Sequence, residues 1–232
     1  MFPERCLMER CDLSGIFSLS GIPAPTKRRV FFSFHYKDVF RVNVVRKSGE
    51  FAQSSSDSGR HIEGYYDKSL WEKKRTESDE ALRKMIRDGV HNTSAVCVLI
   101  GSATWQRPWV RYEIARSVID GKGLLGVNIN SIKHHETGEV NKLGENPCRY
   151  LGVAARQNGS YYLCERRSVS GKYKWEWYGK HTTPIEVPKY MKKPRQGEPL
   201  RLSEFVRLYD WKNNGHANIG AWIDLAAQEA GR

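Results

Sequence analysis

The chain has 232 residues, 39% hydrophobic and 28% charged, enough for one domain of ordinary size with an appendage or for two small ones. No run approaches about 18 uncharged apolar residues, which excludes a membrane-spanning helix. Five cysteines, an odd number with Cys97 inside an apolar run, argue against a disulfide framework and for a reducing cytoplasm. Net charge is +12, and residues 166–201 hold ten Lys/Arg against three Glu, a balance that favours anionic partners. Cys6 and Cys11 have no matching Cys or His pair at zinc spacing, so no metal site is expected.

Residues 1–28 contain short apolar pieces broken by Glu, Arg and Asp, a poor signal peptide and a better flexible leader. Arg29 to His35 has the aromatic and β-branched weight of a first strand. Asp38 is placed to cap a helix running through Val39, Val42, Val45 and Arg46. Ser48 to Arg60 is rich in Ser and Gly and reads as a mobile loop, and Ile62 to Tyr66 as a short second strand. Thr76 and Asp79 resemble a capping box before a helix carrying Ala81, Leu82, Met85 and Ile86, with Gly89 as its stop. A third strand follows over Thr93–Ile100. The next helix is expected from about Pro108 to Asp120, ending at Gly121, because Pro suits a first helical turn and Gly a left-handed C-cap. Leu124 to Ile129 is the fourth strand.

Strands alternating with helices, each strand apolar throughout, argue for a parallel sheet covered on both faces. In the flavodoxin-like order 2-1-3-4, the ligand crevice opens between strands one and three. From Asn146 the character changes. Asn158-Gly159 and Ser170-Gly171 are turn dipeptides flanked by Tyr161–Cys164 and Tyr173–Tyr178, an antiparallel hairpin or meander. Leu202–Trp211 and Ala217–Ala230 read as two helical pieces. The organisation is thus a leader (1–28), an α/β core (29–145) and a C-terminal extension packed on it (146–232).

Trp109 and Glu113 are four apart just past the carboxyl end of the third strand, so an indole and a carboxylate share one helix face where an open α/β sheet keeps its ligand. The bland alternative for Glu113 is a surface carboxylate favoured by the helix dipole. Asn43 is polar among apolar helical positions, a poor propensity choice that suggests a buried task or a tie to a loop. His134 and His135 lie in a polar loop and carry no expected role.

Several ordered blocks resemble a family. They are Val30-Phe31-Phe32-Ser33-Phe34-His35-Tyr36-Lys37-Asp38, Phe40 to Arg46, Ser69-Leu70-Trp71-Glu72, Asn92 to Ser94, Cys97 to Ser102, Trp109-Val110-Arg111-Tyr112-Glu113-Ile114 and Tyr209-Asp210-Trp211. Together they resemble TIR domains that cleave NAD, and more closely the TIR-like ThsB proteins of bacterial Thoeris anti-phage systems. The leader, the Ser54-Ser55-Ser56 stretch and the basic C-terminal segment depart from that pattern.

The resemblance implies a TIR-like α/β fold and cleavage of the nicotinamide–ribosyl bond of NAD as substrate, with no separate cofactor. It also implies a cyclic ADP-ribose-type signal that activates a partner effector, a phage-derived trigger and possible homo-oligomers. Glu113 is the implied catalytic residue. Ser33, Phe34, His35, Asp38, Asn43, Arg46, Trp71, Ser102 and Trp109 are the implied substrate-binding residues. A non-catalytic TIR-like sensor or assembly module is the competing reading. The basic aromatic segment has the charge of a nucleic-acid groove, yet its alternating aromatics read as sheet packing, so nucleic acid is not expected as a partner.

Overall fold

The computed structural model describes residues 28–48, 51, 62–63 and 78–232. The leader up to residue 27, the polar loop around Ser54–Ser56, Thr76 and Trp71 lie outside the described residues.

One sheet is wholly parallel, with strands β1 (Val30–Phe34), β2 (Ile62–Glu63), β3 (Ala95–Ile100), β4 (Gly123–Asn128) and β9 (Arg207–Asp210). Its order is β2-β1-β3-β4-β9. The expected order 2-1-3-4 is present, extended at its far edge by a strand from the C-terminal region. Register pairs Val30 with Ala95 and Phe34 with Leu99, so the carboxyl ends of β1 and β3 lie side by side.

Helices α1 (Val39–Arg46) and α4 (Gly215–Glu229) cover one face, and α2 (Asp79–His91) and α3 (Pro108–Ile119) cover the other. Pleating explains the two cores. Ala95, Cys97 and Leu99 of β3 join Val42, Val45, Ile219 and Ile223 on one side, while Val96, Val98 and Ile100 join Leu82, Ile86, Val110 and Ile114 on the other. A strand buried on both faces has no room for polar alternation, which is why β3 and β4 are apolar or glycine for almost their whole length.

The second sheet is antiparallel, in the order β7-β6-β5-β8, with β5 at Leu151–Ala155, β6 at Tyr161–Val169, β7 at Lys172–Trp177 and β8 at Leu200–Arg201. Ser170 and Gly171 both take positive φ (50° and 77°), the left-handed pair that lets a two-residue turn follow strand twist. Leu151, Val153 and Leu163 of this sheet complete the α2/α3 core.

Three expectations are corrected. The cap of α2 is Ser78, whose hydroxyl accepts from the Ala81 amide at 3.0 Å, and Asp79 is the first helical residue. Gly89 is a buried position inside α2, which runs on to His91. Leu202–Trp211 is not a helix. It is a 3-10 turn (Leu202–Glu204) followed by β9, because backbone pairing with β4 outweighs the weak pattern of so short a segment. Pro108 does open α3, and Gly121 beyond its end takes φ +58°.

Candidate active site

Ser33 is the fourth residue of β1 and shares its face with Phe31, so it points at α3. Glu113 lies one and a half turns into that helix and meets it. Ser33 Oγ donates to Glu113 Oε2 at 2.5 Å, with the serine fully buried and the glutamate 6% exposed. No cation pairs with Glu113 among the described residues. Burial pushes its carboxyl up to about 8, and the Ser33 hydrogen bond acts in the opposite direction. The surface-carboxylate alternative for Glu113 is therefore wrong. Burial favours the protonated form of this carboxyl at rest.

The chain leaving β1 builds the next layer. His35 is half-buried at the entrance to a 3-10 turn (Tyr36–Asp38). Burial, and then the nearby charges of Arg107 and Lys37, lower its imidazole to about 4, so it is neutral at pH 7. Asp38 occupies the N-cap position of α1 but makes no capping hydrogen bond, against expectation. Its carboxylate instead reaches across the crevice and packs on Gly101 at the end of β3, where any Cβ would overlap it. The Arg41 guanidinium stands 3.9 Å away. Burial raises the Asp38 carboxyl, and Arg41 and Arg107 pull it back.

The remaining candidates are less concentrated. Phe34 turns to the α1 side and packs against that core. Asn43 and Arg46 are half-buried on α1, with Arg46 Nη1 donating to Asn43 Oδ1 at 3.3 Å. Ser102 is exposed and accepts from Asn130 Nδ2 at 3.0 Å. Trp109 is half-buried, edge-on to Tyr112 with centroids 5.9 Å apart, and the Lys180 ammonium lies 5.3 Å from its ring centre. Ser33 and Glu113 are thus in direct contact, and His35 and Asp38 share the field of Arg107. Trp71 cannot be placed, since it lies outside the described residues.

Sequence reasoning missed Arg107, Arg41 and the segment after β4. Arg107 precedes Pro108 and is extended (φ −85°, ψ 116°), as pre-proline residues are, and that is the one local signal that it borders the crevice. The segment after β4 folds over the end of β3. The Asn130 amide ties Ser102 to the Lys142 carbonyl, and Gly144 sits against the Gly101 carbonyl where a Cβ would collide. These contacts join residues far apart in sequence and leave no local trace. Among the described residues no group of three His, Cys, Asp or Glu could hold a metal, and no helix is long and apolar enough to cross a membrane.

The arrangement is a neutral carboxyl held by one hydroxyl in an apolar wall, at the carboxyl ends of two adjacent central strands. Such a group can gain charge when a cation arrives beside it. Residues 31–134 match the family model described as "Thoeris protein ThsB, TIR-like domain". A protein of Bacillus cereus (strain MSX-D12), named "Putative cyclic ADP-D-ribose synthase ThsB1", is 40% identical over 201 residues, covering 85% of this chain and 99% of that protein. With the five-stranded parallel sheet, the match spans nearly the whole relative, and the chain belongs to the ThsB family of TIR-like Thoeris proteins.

Proposed function

We propose that this chain is an NAD-processing enzyme that breaks the nicotinamide–ribosyl bond and makes a cyclic ADP-ribose-type signal in anti-phage defence. The observation that carries this reading is the buried Ser33–Glu113 contact at the strand ends, and the name of the Bacillus cereus relative supports it. Nicotinamide leaves as a neutral molecule with the bonding electron pair, so no general acid is required, unlike an ordinary glycoside. Positive charge develops on the ribosyl C1′. Glu113, as carboxylate, stabilises that charge from an apolar wall where the interaction is strong. A nucleophile of the same ADP-ribosyl group then attacks C1′ and releases its proton, closing the ring.

The resting protonation of Glu113 fits this role. The nicotinamide ring of bound NAD is cationic, and a cation beside a carboxyl lowers its pKa. Substrate would therefore draw the proton off the group it needs ionised. Ser33 would hold the carboxylate in place, neutral His35 would meet ribose hydroxyls, and Trp109, one turn before Glu113, would supply an aromatic wall. Arg46 and the backbone amides after β1 suit the pyrophosphate. Phe34, Asp38, Asn43, Trp71 and Ser102 complete the proposed substrate set. Residues 29–145 form the core of this reading, and 146–232 complete it with β9 and α4. The product reaches its effector by diffusion, and a phage-derived trigger together with self-assembly switches the enzyme on in the cytoplasm.

The test compares wild type and Glu113→Gln by liquid chromatography and mass spectrometry, with and without phage challenge. An ADP-ribose-derived species found only in challenged wild type is the expected result. No such species and unchanged NAD, under triggers that elicit defence, would make the chain a non-catalytic sensor or assembly module.

A further inference from the structure

A cavity of about 460 Å³ opens between the start of α3 and the antiparallel sheet. Arg111, which lines it, lies two residues before Glu113 and so projects from nearly the opposite side of the helix. The cavity is therefore not the Glu113 crevice.

Its walls combine aromatic faces with cations that make no close ion pair, although the charges of Glu165 and Asp79 act on Lys180 from further off. Trp105 stacks on Tyr150 with ring centres 5.3 Å apart and planes within 16°. Tyr173, 46% exposed, lies across from Tyr150 at 5.9 Å. The Arg111 guanidinium stands 5.6 Å from the Tyr150 ring centre and that of Arg166 4.5 Å from Tyr173. Lys180 borders the same space. Among the described residues no carboxylate pairs with Arg111, Arg166 or Lys180. The acid in the wall, Glu165, is taken by Arg167 at 2.6 Å, and Glu145 nearby pairs with Arg149 at 3.6 Å.

Two buried polar atoms on these walls have no hydrogen-bond partner. They are the hydroxyl of Tyr178, a residue 3% exposed, and Nε of Arg111. A buried hydroxyl without a partner costs stability, and a ligand in the cavity would satisfy it. Cations on aromatic faces and stacking rings are what a phosphorylated aromatic base requires. Guanidinium groups take phosphate oxygens in paired hydrogen bonds, and aromatic side chains take the base. The volume suits one nucleotide.

We propose that this cavity is a second ligand site, taking a mononucleotide-class anion with its base against Tyr173 and Trp105 and its phosphate between Arg111 and Arg166. The Tyr178 hydroxyl donates to the same ligand. The site stands whether or not Glu113 turns over NAD.

Calorimetric titration of the purified full chain with AMP, GMP and ADP-ribose tests it, in wild type, the Arg111→Ala/Arg166→Ala double variant and Glu113→Gln. At least one of the three should bind wild type with Kd below about 1 mM. The double variant should weaken that binding at least tenfold, and Glu113→Gln should leave it within about twofold. If the double variant does not fold, Arg166→Ala alone, at a half-buried position near the end of β6, is held to the same tenfold criterion. Failure of all three nucleotides to bind at about 1 mM overturns the proposal. Binding that survives loss of the arginines also overturns it, as does binding that disappears with Glu113→Gln.

Discussion

Among the described residues, the parallel and antiparallel halves of the molecule each bury one glutamate to the same 6% exposure, and they treat it differently. In the parallel half, Glu113 meets a single hydroxyl, Ser33, and burial drives its carboxyl up to about 8. In the antiparallel half, Glu165 on β6 is matched by the Arg167 guanidinium at 2.6 Å. A carboxylate buried beside its cation is structural bookkeeping. A carboxyl buried without one is held in an unfavourable state by the surrounding fold, and such groups gather where chemistry is done. Equal burial therefore says little, and the partner decides the role.

The sharpest way to break this contrast is Glu113→Gln, which keeps shape and removes charge. Turnover should fall by about 10²–10³ or more, the loss seen when one electrostatic stabiliser of a transition state is removed. Stability should move the other way. Folded Glu113 holds its proton up to about pH 8, whereas the unfolded chain releases it near the usual 4.5. The folded state therefore loses stability as pH rises through that window, by up to a few kcal/mol, and the loss levels off above it. The glutamine variant escapes this decline, so its Tm should equal or exceed that of wild type and exceed it most at pH 8. A Tm well below wild type at pH 8 would show that Glu113 is a structural anion like Glu165.

The wild-type pH profile follows. If the free enzyme must ionise Glu113, kcat/KM should rise about tenfold per pH unit below about 8 and flatten above it. A flat profile from pH 6 to 9 would remove Glu113 ionisation from the mechanism. Ser33→Ala deletes the hydrogen bond that favours the ionised form. Hydrogen bonds to charged groups contribute about 1.5–3 kcal/mol, so the midpoint of that profile should move up by about one to two units. An unmoved midpoint would leave Ser33 as packing alone. Arg167→Ala makes the smallest change and the most telling control. It strips Glu165 of its cation and should destabilise the fold by about 1–2 kcal/mol, discounted because Arg167 is half exposed. Turnover per folded molecule should be unchanged, since the second sheet supplies no part of the Glu113 contact.

Much of the parallel sheet was legible in the chain itself. β1, β3 and β4 were found within two residues at each end, because strands buried on both faces must be continuously apolar. Pro108 and Gly121 bracketed α3 through backbone preferences that need no neighbours. The turn at Ser170-Gly171 was legible for the same reason. β9 was not, since a four-residue edge strand carries too little pattern to outvote a helical reading, and only pairing with β4 identifies it. For the site, the position of Glu113 could be read from helix spacing. The crossing of Asp38 to Gly101, the reach of Arg107 to His35 and Asp38, and the seat of Gly144 on Gly101 could not.

The division has one cause. Periodicity, caps and turn residues are properties of a few neighbouring residues, so the sequence by itself determined the strand and helix alternation, the family and the helix carrying Glu113. Protonation, pairing and cavity shape depend on which groups arrive from distant parts of the chain and how much water they exclude. Only the tertiary structure decided that Glu113 would meet Ser33 and no cation, that Glu165 would meet Arg167, and that Arg111 would turn away from both into a basic aromatic cavity.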